Sequence, residues 1–173
     1  MGERIAVAAD TNSGITAEEA KAWGVTLIPM PFFIDGKVYY EGRTLTQADF
    51  YRHLEQNTEI STSQPAPGEV IETWEGLLKH YDRVIYIPMS SGLSSSAASA
   101  RLLAEDFDGK VLVVDNKRIS ATQRQAVLDA LYFVKQGLAA EKIRDILEQT
   151  GLDASIFITV DTLKYLQKGG RIT

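Results

Sequence analysis

Residues 84–103 read VIYIPMSSGLSSSAASARLL, and this stretch decides the fold. Val84 to Met89 form a continuous apolar run, which is typical of a strand that is covered on both faces. A serine-rich loop follows, and we predict that a helix opens at Ser94. A buried strand, a polar loop and a helix in this order form one unit of a layered α/β domain.

The same alternation runs along most of the chain. Thr16 and Glu19 predict a capping box, and Gly24 predicts the end of that helix. Thr46 is expected to cap the next helix, and Pro67 to begin a third. Four further apolar runs are rich in valine and isoleucine: Ile5 to Ala9, Val25 to Ile34, Val111 to Val114 and Ile156 to Val160. The pattern predicts an α/β fold with a doubly wound, mainly parallel sheet and helices on both faces.

Two later helices and one hairpin complete this prediction. A helix is expected from about Ala121 to Lys135, and another from near Ala139 to Gly151. The inward face of the first of these should consist of Val127, Leu128, Leu131 and Tyr132. Residues 32–40 read as two short strands around an Asp-Gly turn, which predicts a β-hairpin.

The end of the chain departs from the pattern. A predicted strand, Ser155 to Asp161, is followed by a short helical pattern that begins at Thr162. We therefore predict an α/β domain over residues 1–152. Residues 153–173 are predicted to be the first strand and helix of an incomplete second α/β domain.

Composition excludes several classes of function. The chain has 173 residues, no cysteine, and a net charge of −5 from 18 basic and 23 acidic residues. Disulfides, thiolate metal sites and cysteine nucleophiles are impossible, and we expect a cytoplasmic protein. No basic patch suggests nucleic-acid binding, and no apolar run approaches the roughly 20 residues of a membrane span.

Hydroxyl-rich loops are the main candidates for a binding site. Ligands of open α/β sheets bind beyond the carboxyl ends of the strands. The loop from Ser90 to Ser96 precedes a helix whose free N–H groups favour an anion, and its serines can donate hydrogen bonds. The loop that contains Thr62 also precedes a helix. Together they predict an anion site, although a simple N-cap at Ser94 and a plain turn at Thr62 stay open.

Catalytic and metal sites find little support in the sequence. A serine hydrolase needs a base, and the two histidines, His53 and His80, belong to predicted helices. The phosphate-loop and dinucleotide motifs are absent. Asp10 and Asp115 each follow a strand and could bind Mg²⁺, but capping of neighbouring loops is the favoured role. We expect no catalytic residue, no metal and no cofactor.

Five motifs follow one another along the chain: Asp10 after the first strand, Thr62-Ser63-Gln64-Pro65, Ser90-Ser91-Gly92-Leu93-Ser94, Asp115 after a valine-rich strand, and the block from Leu163 to Ile172. In these ordered motifs the chain resembles the DegV family of bacterial fatty-acid-binding proteins. The resemblance implies that Thr62 and Ser94 donate hydroxyls to the carboxylate of a long-chain fatty acid. It also implies a non-enzymatic carrier that presents the fatty acid to a fatty acid kinase for phospholipid synthesis. The ligand-binding residues implied are Asp10, Thr62, Ser63, Ser91, Gly92, Leu93 and Ser94.

Some features depart from the family pattern, and other functions stay open. Family members continue beyond Thr173 into a full second domain, and Lys117-Arg118 is bulkier than the small residues usual in that loop. One alternative is a binder of small phosphorylated metabolites that uses Lys117 and Arg118. A second is a phosphoryl-transfer subunit like those of dihydroxyacetone kinase, and a third is a pure interaction module.

Overall fold

The computed structural model describes residues 2–40, 43–56, 58–160 and 162–172. The helices and strands, in chain order, are β1 (Ile5–Asp10), α1 (Ala17–Trp23), β2 (Val25–Ile28), β3 (Pro31–Ile34), β4 (Lys37–Tyr40), α2 (Gln47–Glu55), β5 (Ile60–Thr62), α3 (Pro67–Leu78), β6 (Arg83–Ile87), α4 (Ser96–Ala104), β7 (Val111–Val113), α5 (Ser120–Lys135), α6 (Ala140–Gln149) and α7 (Lys164–Lys168). The chain forms two compact units. The first comprises residues 1–28 and 66–156, and the second comprises residues 29–65 and 157–173.

The first unit is built on a four-stranded parallel sheet of order β2-β1-β6-β7. Successive residues of β6 point to opposite faces, and both faces are buried. Ile85 and Ile87 join a core that includes residues of α1, α5 and α6. Val84 and Tyr86 join a second core, which includes residues of α3 and α4. The predicted doubly wound sheet is confirmed, and burial on both sides explains why its strands are continuously apolar.

The second unit contains a three-stranded antiparallel sheet of order β4-β3-β5. The predicted hairpin is confirmed as β3 and β4, and its turn residues Asp35 and Gly36 have φ angles of 48° and 76°. Two successive positive φ angles match the twist of paired strands. The apolar run predicted from Val25 to Ile34 is not one strand. It is split at Pro29 and Met30 into β2, in the parallel sheet, and β3.

Local signals in the sequence predicted the starts of α1, α2 and α3. Thr16 accepts a hydrogen bond from the Glu19 N–H, and the Glu19 carboxylate accepts one from the Thr16 N–H, which completes the capping box. Thr46 caps α2, and Pro67 is the first residue of α3. The predicted start at Ser94 was wrong, because α4 begins at Ser96.

The predicted inward face of α5 was wrong at Tyr132, which is 59% exposed. Val127 is buried and Leu131 packs against the core, as predicted, and the further buried residues of α5 are Gln123, Ala126 and Ala130. The predicted strand from Ser155 to Asp161 was also wrong. Residues 155–160 form no strand, and Asp161, the last residue of that predicted strand, lies outside the described residues. Phe157 in this segment is 96% exposed. A strand requires a hydrogen-bonded neighbour, and none is paired with residues 155–160 in the described ranges.

An ion pair joins α1 to α5 within the first unit. Arg124 contacts both carboxylate oxygens of Glu19, at 2.5 and 2.7 Å, and its guanidinium carbon lies 4.8 Å from the centre of the Trp23 ring. The hydrogen bond from Arg124, followed by the one from the Thr16 N–H, lowers the pKa of Glu19 to about 2.

We expect Arg124→Gln to raise the pKa of Glu19 from about 2 part of the way to its usual value of about 4.3, because only the Thr16 bond would remain. A carboxyl group whose pKa is lower in the folded than in the unfolded protein stabilises the fold at pH values above its unfolded-state pKa. This stabilisation is lost as the pH falls through the folded-state pKa. The stability difference between wild type and variant should therefore close between about pH 4.5 and pH 2. NMR titration of the Glu19 carboxyl carbon measures the shift. Arg144→Gln, which removes a partner of Asp145, is the control, and an unchanged Glu19 titration would contradict the assignment.

Candidate functional site

A buried carboxylate lies at the carboxyl end of β1. Asp10 has no exposed surface. One of its oxygens accepts a hydrogen bond from the Met89 N–H at 2.6 Å, and the other accepts bonds from the Asn12 N–H at 3.0 Å and the Gln123 side-chain amide at 3.1 Å. Burial raises the pKa of Asp10 above its usual value, and these hydrogen bonds partly oppose that rise. The carboxylate therefore fixes the backbone at Met89, where the serine-rich loop begins.

Gln123 is a part of this site that sequence reasoning missed. Its amide nitrogen donates to Asp10 and also, at 3.0 Å, to the carbonyl of Ile87. Its amide oxygen is buried and has no hydrogen-bond partner among the described residues. The available signal was helical spacing, because Gln123 lies on the same face of α5 as Ala126, Val127 and Ala130.

The serine-rich loop is held by its own backbone. The Ser90 carbonyl accepts hydrogen bonds from the N–H groups of Leu93 and Ser94, and the Ser90 hydroxyl accepts one from the Gly92 N–H. The Ser90 N–H donates to the carbonyl of Arg118, which joins this loop to the one after β7. Gly92 has no positive φ angle, so the backbone conformation at this position does not require a glycine.

Ser94 presents a hydroxyl at the start of α4. Its oxygen accepts a hydrogen bond from the Ser96 N–H at 3.1 Å, and its own hydrogen has no acceptor in the described part of the chain. This bond, together with the turn that closes on Ser90, is why the helix begins at Ser96 and not at Ser94. Ser91 and Gly92 are exposed beside it, and Leu93 is half-buried. The loop can therefore offer a hydroxyl donor to an anion.

Positive side chains around the loop after β7 are already occupied. Arg118 is buried and donates to the carbonyls of Thr150 and Gly151, at the carboxyl end of α6. A side chain at Gly151 would come within 2.5 Å of the Asn116 carbonyl, so only glycine fits this contact. Lys117 pairs with Asp115 at 2.5 Å. The two cations on which the phosphate-binding alternative depends are therefore bound within the protein.

The second unit carries the other predicted hydroxyls. Thr62 ends β5, pairs with Phe32 of β3 and is exposed. Its hydroxyl oxygen accepts a hydrogen bond from the Arg171 guanidinium at 3.3 Å. Ser63 is also exposed, and its N–H donates to the Pro31 carbonyl at 3.2 Å. The predicted site residues did not include Arg171, although it lies in the Gly-Gly-Arg block that carried the family resemblance.

Histidines and metal ligands give no further site in the described ranges. His53 lies within α2, and His80 follows α3. Residues 2–40, 43–56, 58–160 and 162–172 contain no group of three acidic or histidine side chains that could hold a metal ion. None of the helices among these residues is both long and apolar enough to cross a bilayer.

The fold and these loops define a doubly wound α/β protein with a serine-rich loop after a parallel strand and a second hydroxyl-bearing loop after the antiparallel strand β5. The profile of the DegV family, described as uncharacterised proteins, matches residues 4–173, and the chain belongs to this family. It is 35% identical over 169 residues to a DegV domain-containing protein of Deinococcus radiodurans, covering 97% of this chain and 60% of that protein.

Solved structures agree with this assignment. The structure described as fatty acid binding of a DegV family protein from Thermus thermophilus has a TM-score of 0.89 and 27% identity, covering 96% of this chain and 60% of that one. DegV from Bacillus subtilis, described as a fatty acid binding protein, has a TM-score of 0.85 and 30% identity, covering 97% and 61%. The present chain thus spans about 60% of the length of these relatives.

We expect Asp10→Asn to lower the free energy of unfolding by about 1–3 kcal/mol. The NH2 group of the asparagine replaces an acceptor oxygen, so at least one N–H group that donates to Asp10 loses its acceptor. Either orientation of the amide has this effect, since both oxygens of Asp10 accept hydrogen bonds. Urea unfolding followed by circular dichroism measures the change. Asp106→Asn, on an exposed residue, should change stability by less than about 0.5 kcal/mol. Equal effects of the two substitutions would show that the Asp10 bonds contribute no net stability.

Proposed function

We propose that this chain binds a long-chain fatty acid and that the hydroxyls of Thr62 and Ser94 donate hydrogen bonds to its carboxylate. The observation that carries the proposal is the likeness to two DegV proteins whose structures are described as fatty-acid-binding. The chemistry of the loops supports it, because the Ser94 hydroxyl hydrogen has no acceptor among the residues that the structure describes, and Thr62 lies beside a guanidinium. A carboxylate is satisfied by a few donors of this kind.

The remaining predicted residues take supporting roles in this proposal. Asp10 is buried, so it acts by holding Met89 at the base of the serine-rich loop. Ser91, Gly92 and Leu93 contribute the exposed part of that loop, and Ser63 contributes the residue after Thr62. Arg171 adds a positive charge beside the Thr62 hydroxyl, which favours an anionic ligand.

Most of the affinity should come from the tail of the fatty acid. Each buried methylene contributes about 0.8 kcal/mol, whereas each hydrogen bond to the charged head contributes about 1.5–3 kcal/mol. The hydroxyls therefore orient the ligand more than they retain it. Because relatives are longer than this chain, the affinity of this chain alone is expected to depend on how much of the tail it covers.

The physiological role that we propose is that of a non-enzymatic carrier in the cytoplasm. The family resemblance supports presentation of the carboxylate to a fatty acid kinase, whose acyl phosphate product would enter phospholipid synthesis. The alternative of phosphorylated-metabolite binding has weaker support, because Arg118 is bound to carbonyls at the end of α6 and Lys117 is paired with Asp115. A phosphoryl-transfer subunit would need a reactive histidine, and His53 and His80 belong to or follow helices.

We expect Thr62→Ala/Ser94→Ala to weaken palmitate binding by about 100- to 10,000-fold, because two hydrogen bonds to the carboxylate are lost. Native mass spectrometry of the purified protein, followed by titration with palmitate, measures it. The matched control is Ser61→Ala/Ser95→Ala. Ser61 is the exposed residue before Thr62 on β5, and its side chain points to the other face of the strand; Ser95 makes no side-chain capping bond.

Three results of this experiment can be distinguished. Binding of one palmitate to wild type and control, but not to the double variant, supports the proposal. Equal binding by all three proteins would show that these hydroxyls are not the head-group donors. Binding of inorganic phosphate that is lost on Lys117→Ala/Arg118→Ala would favour the phosphorylated-metabolite alternative instead.

A further inference from the structure

Lys117 has a backbone conformation that is unfavourable for a lysine. Its φ angle is 61°, in the left-handed region where the Cβ atom is crowded. The residue follows β7 in a loop that glycine could adopt without strain. Such strain persists only where the surrounding contacts hold the residue, and it is concentrated at functional sites.

The Lys117 side chain turns back onto the loop that precedes α4. Its ammonium lies 2.5 Å from one oxygen of Asp115 and also donates a hydrogen bond to the Ser91 hydroxyl. The other oxygen of Asp115 accepts a hydrogen bond from the Ser91 N–H at 3.2 Å. Ser91 is thus held at both its backbone and its side chain. We call this closed set of bonds among Ser91, Asp115 and Lys117 the loop latch.

The acidic member of the latch is well anchored. The Asp115 side chain is only 4% exposed, whereas that of Lys117 is 50% exposed. Burial alone would raise the pKa of Asp115, but the hydrogen bonds from Lys117 and Ser91 outweigh it and hold the pKa below its usual value. The Asp115 N–H also donates to the Glu148 carboxylate of α6. Asp115 is therefore a fixed, ionised anchor, and Lys117 is the exposed member that closes onto it.

We propose that Lys117 is a positioning residue for the head-group loop, in which it holds Ser91 through Asp115 and so sets the direction of the Ser94 hydroxyl. The inference rests on the proposed function of Ser94. The turn transmits the effect, because the residue before Ser91 accepts hydrogen bonds from the N–H groups of Leu93 and Ser94. If the bonds that hold Ser91 are lost, the turn from Ser90 to Ser94 is no longer held in one conformation, and the Ser94 hydroxyl is no longer oriented.

Three substitutions of Lys117 separate positioning from simple stability. Lys117→Met keeps the length of the side chain and removes its charge. Lys117→Arg restores a cation that can bond to both Asp115 and Ser91. Lys117→Gly removes the side chain and at the same time relieves the left-handed strain. Lys142→Met, on an exposed lysine of α6, is the matched control.

The first measurement needs no ligand. Amide hydrogen exchange of Ser91 and Ser94, followed by NMR in the unliganded protein, should be about threefold to tenfold faster in Lys117→Met and Lys117→Gly, as expected for loss of one ion pair. Lys117→Arg should return exchange close to the wild-type rate, and Lys142→Met should not alter it. Unchanged exchange at both serines in Lys117→Met would overturn the proposal.

The second measurement is palmitate affinity alongside melting temperature. We expect Lys117→Gly to bind palmitate about threefold to tenfold more weakly while its melting temperature is unchanged or higher, since the strain is gone. A parallel fall in both quantities, or wild-type affinity in Lys117→Met and Lys117→Gly, would overturn the positioning role. If the wild-type chain itself binds no palmitate, the proposed function fails for this chain. The exchange rates of Ser91 and Ser94 still decide whether the latch orders the loop.

Discussion

The carboxylate of Asp10 is fully buried, and each group that donates to it comes from a different part of the first unit. The Met89 N–H belongs to the segment that follows β6, the Asn12 N–H to the turn after β1, and the Gln123 amide to α5. A buried charge is costly unless it is well hydrogen-bonded. These three segments are therefore constrained to one arrangement. The serine-rich loop starts at Met89, so its position depends on this carboxylate.

The loop that begins there is held by hydrogen bonds of its own backbone and side chains, and Ser94 is the predicted donor within it. Ser90 closes the turn onto Leu93 and Ser94, and the loop latch holds Ser91. Ser94 then offers a hydrogen that has no acceptor among the described residues. A site of this kind suits a monoanionic carboxylate that receives a few oriented donors. A phosphate dianion would demand more positive charge than this loop leaves unpaired.

Positive charge is instead used for structure at two places near the same sheet edge. Arg118 satisfies the carbonyls of Thr150 and Gly151 at the end of α6, where a cation also complements the helix dipole. Lys117 neutralises Asp115. In the second unit, Arg171 is exposed beside the Thr62 hydroxyl. Two predicted hydroxyls therefore have a cation as a direct hydrogen-bond partner: Thr62 contacts Arg171, and Ser91 contacts Lys117.

Local signals in the sequence determined much of this protein. The capping box of Thr16 and Glu19 and the Asp35-Gly36 turn depend on contacts within a few residues, and both were predicted correctly. The continuous apolar runs determined the parallel sheet, because burial on both faces leaves no polar alternation. The ordered motifs around Thr62 and Ser94, together with the Gly-Gly-Arg block, were sufficient to indicate the family.

Only the tertiary structure decided the features that depend on distant partners. In the sequence Gln123 is only a polar residue on an otherwise apolar helix face. The structure shows that it donates hydrogen bonds to Asp10 and to the Ile87 carbonyl. Residues 155–160 have the composition of a strand, but no strand in the described ranges pairs with them. Strand β5 pairs with β3, although α2 lies between them in the sequence. In the sequence Lys117 resembles any surface lysine, whereas in the structure its ammonium group bonds to Asp115 and Ser91. Capping and burial patterns are encoded in neighbouring residues, whereas these bonds join residues that only the folded chain brings together.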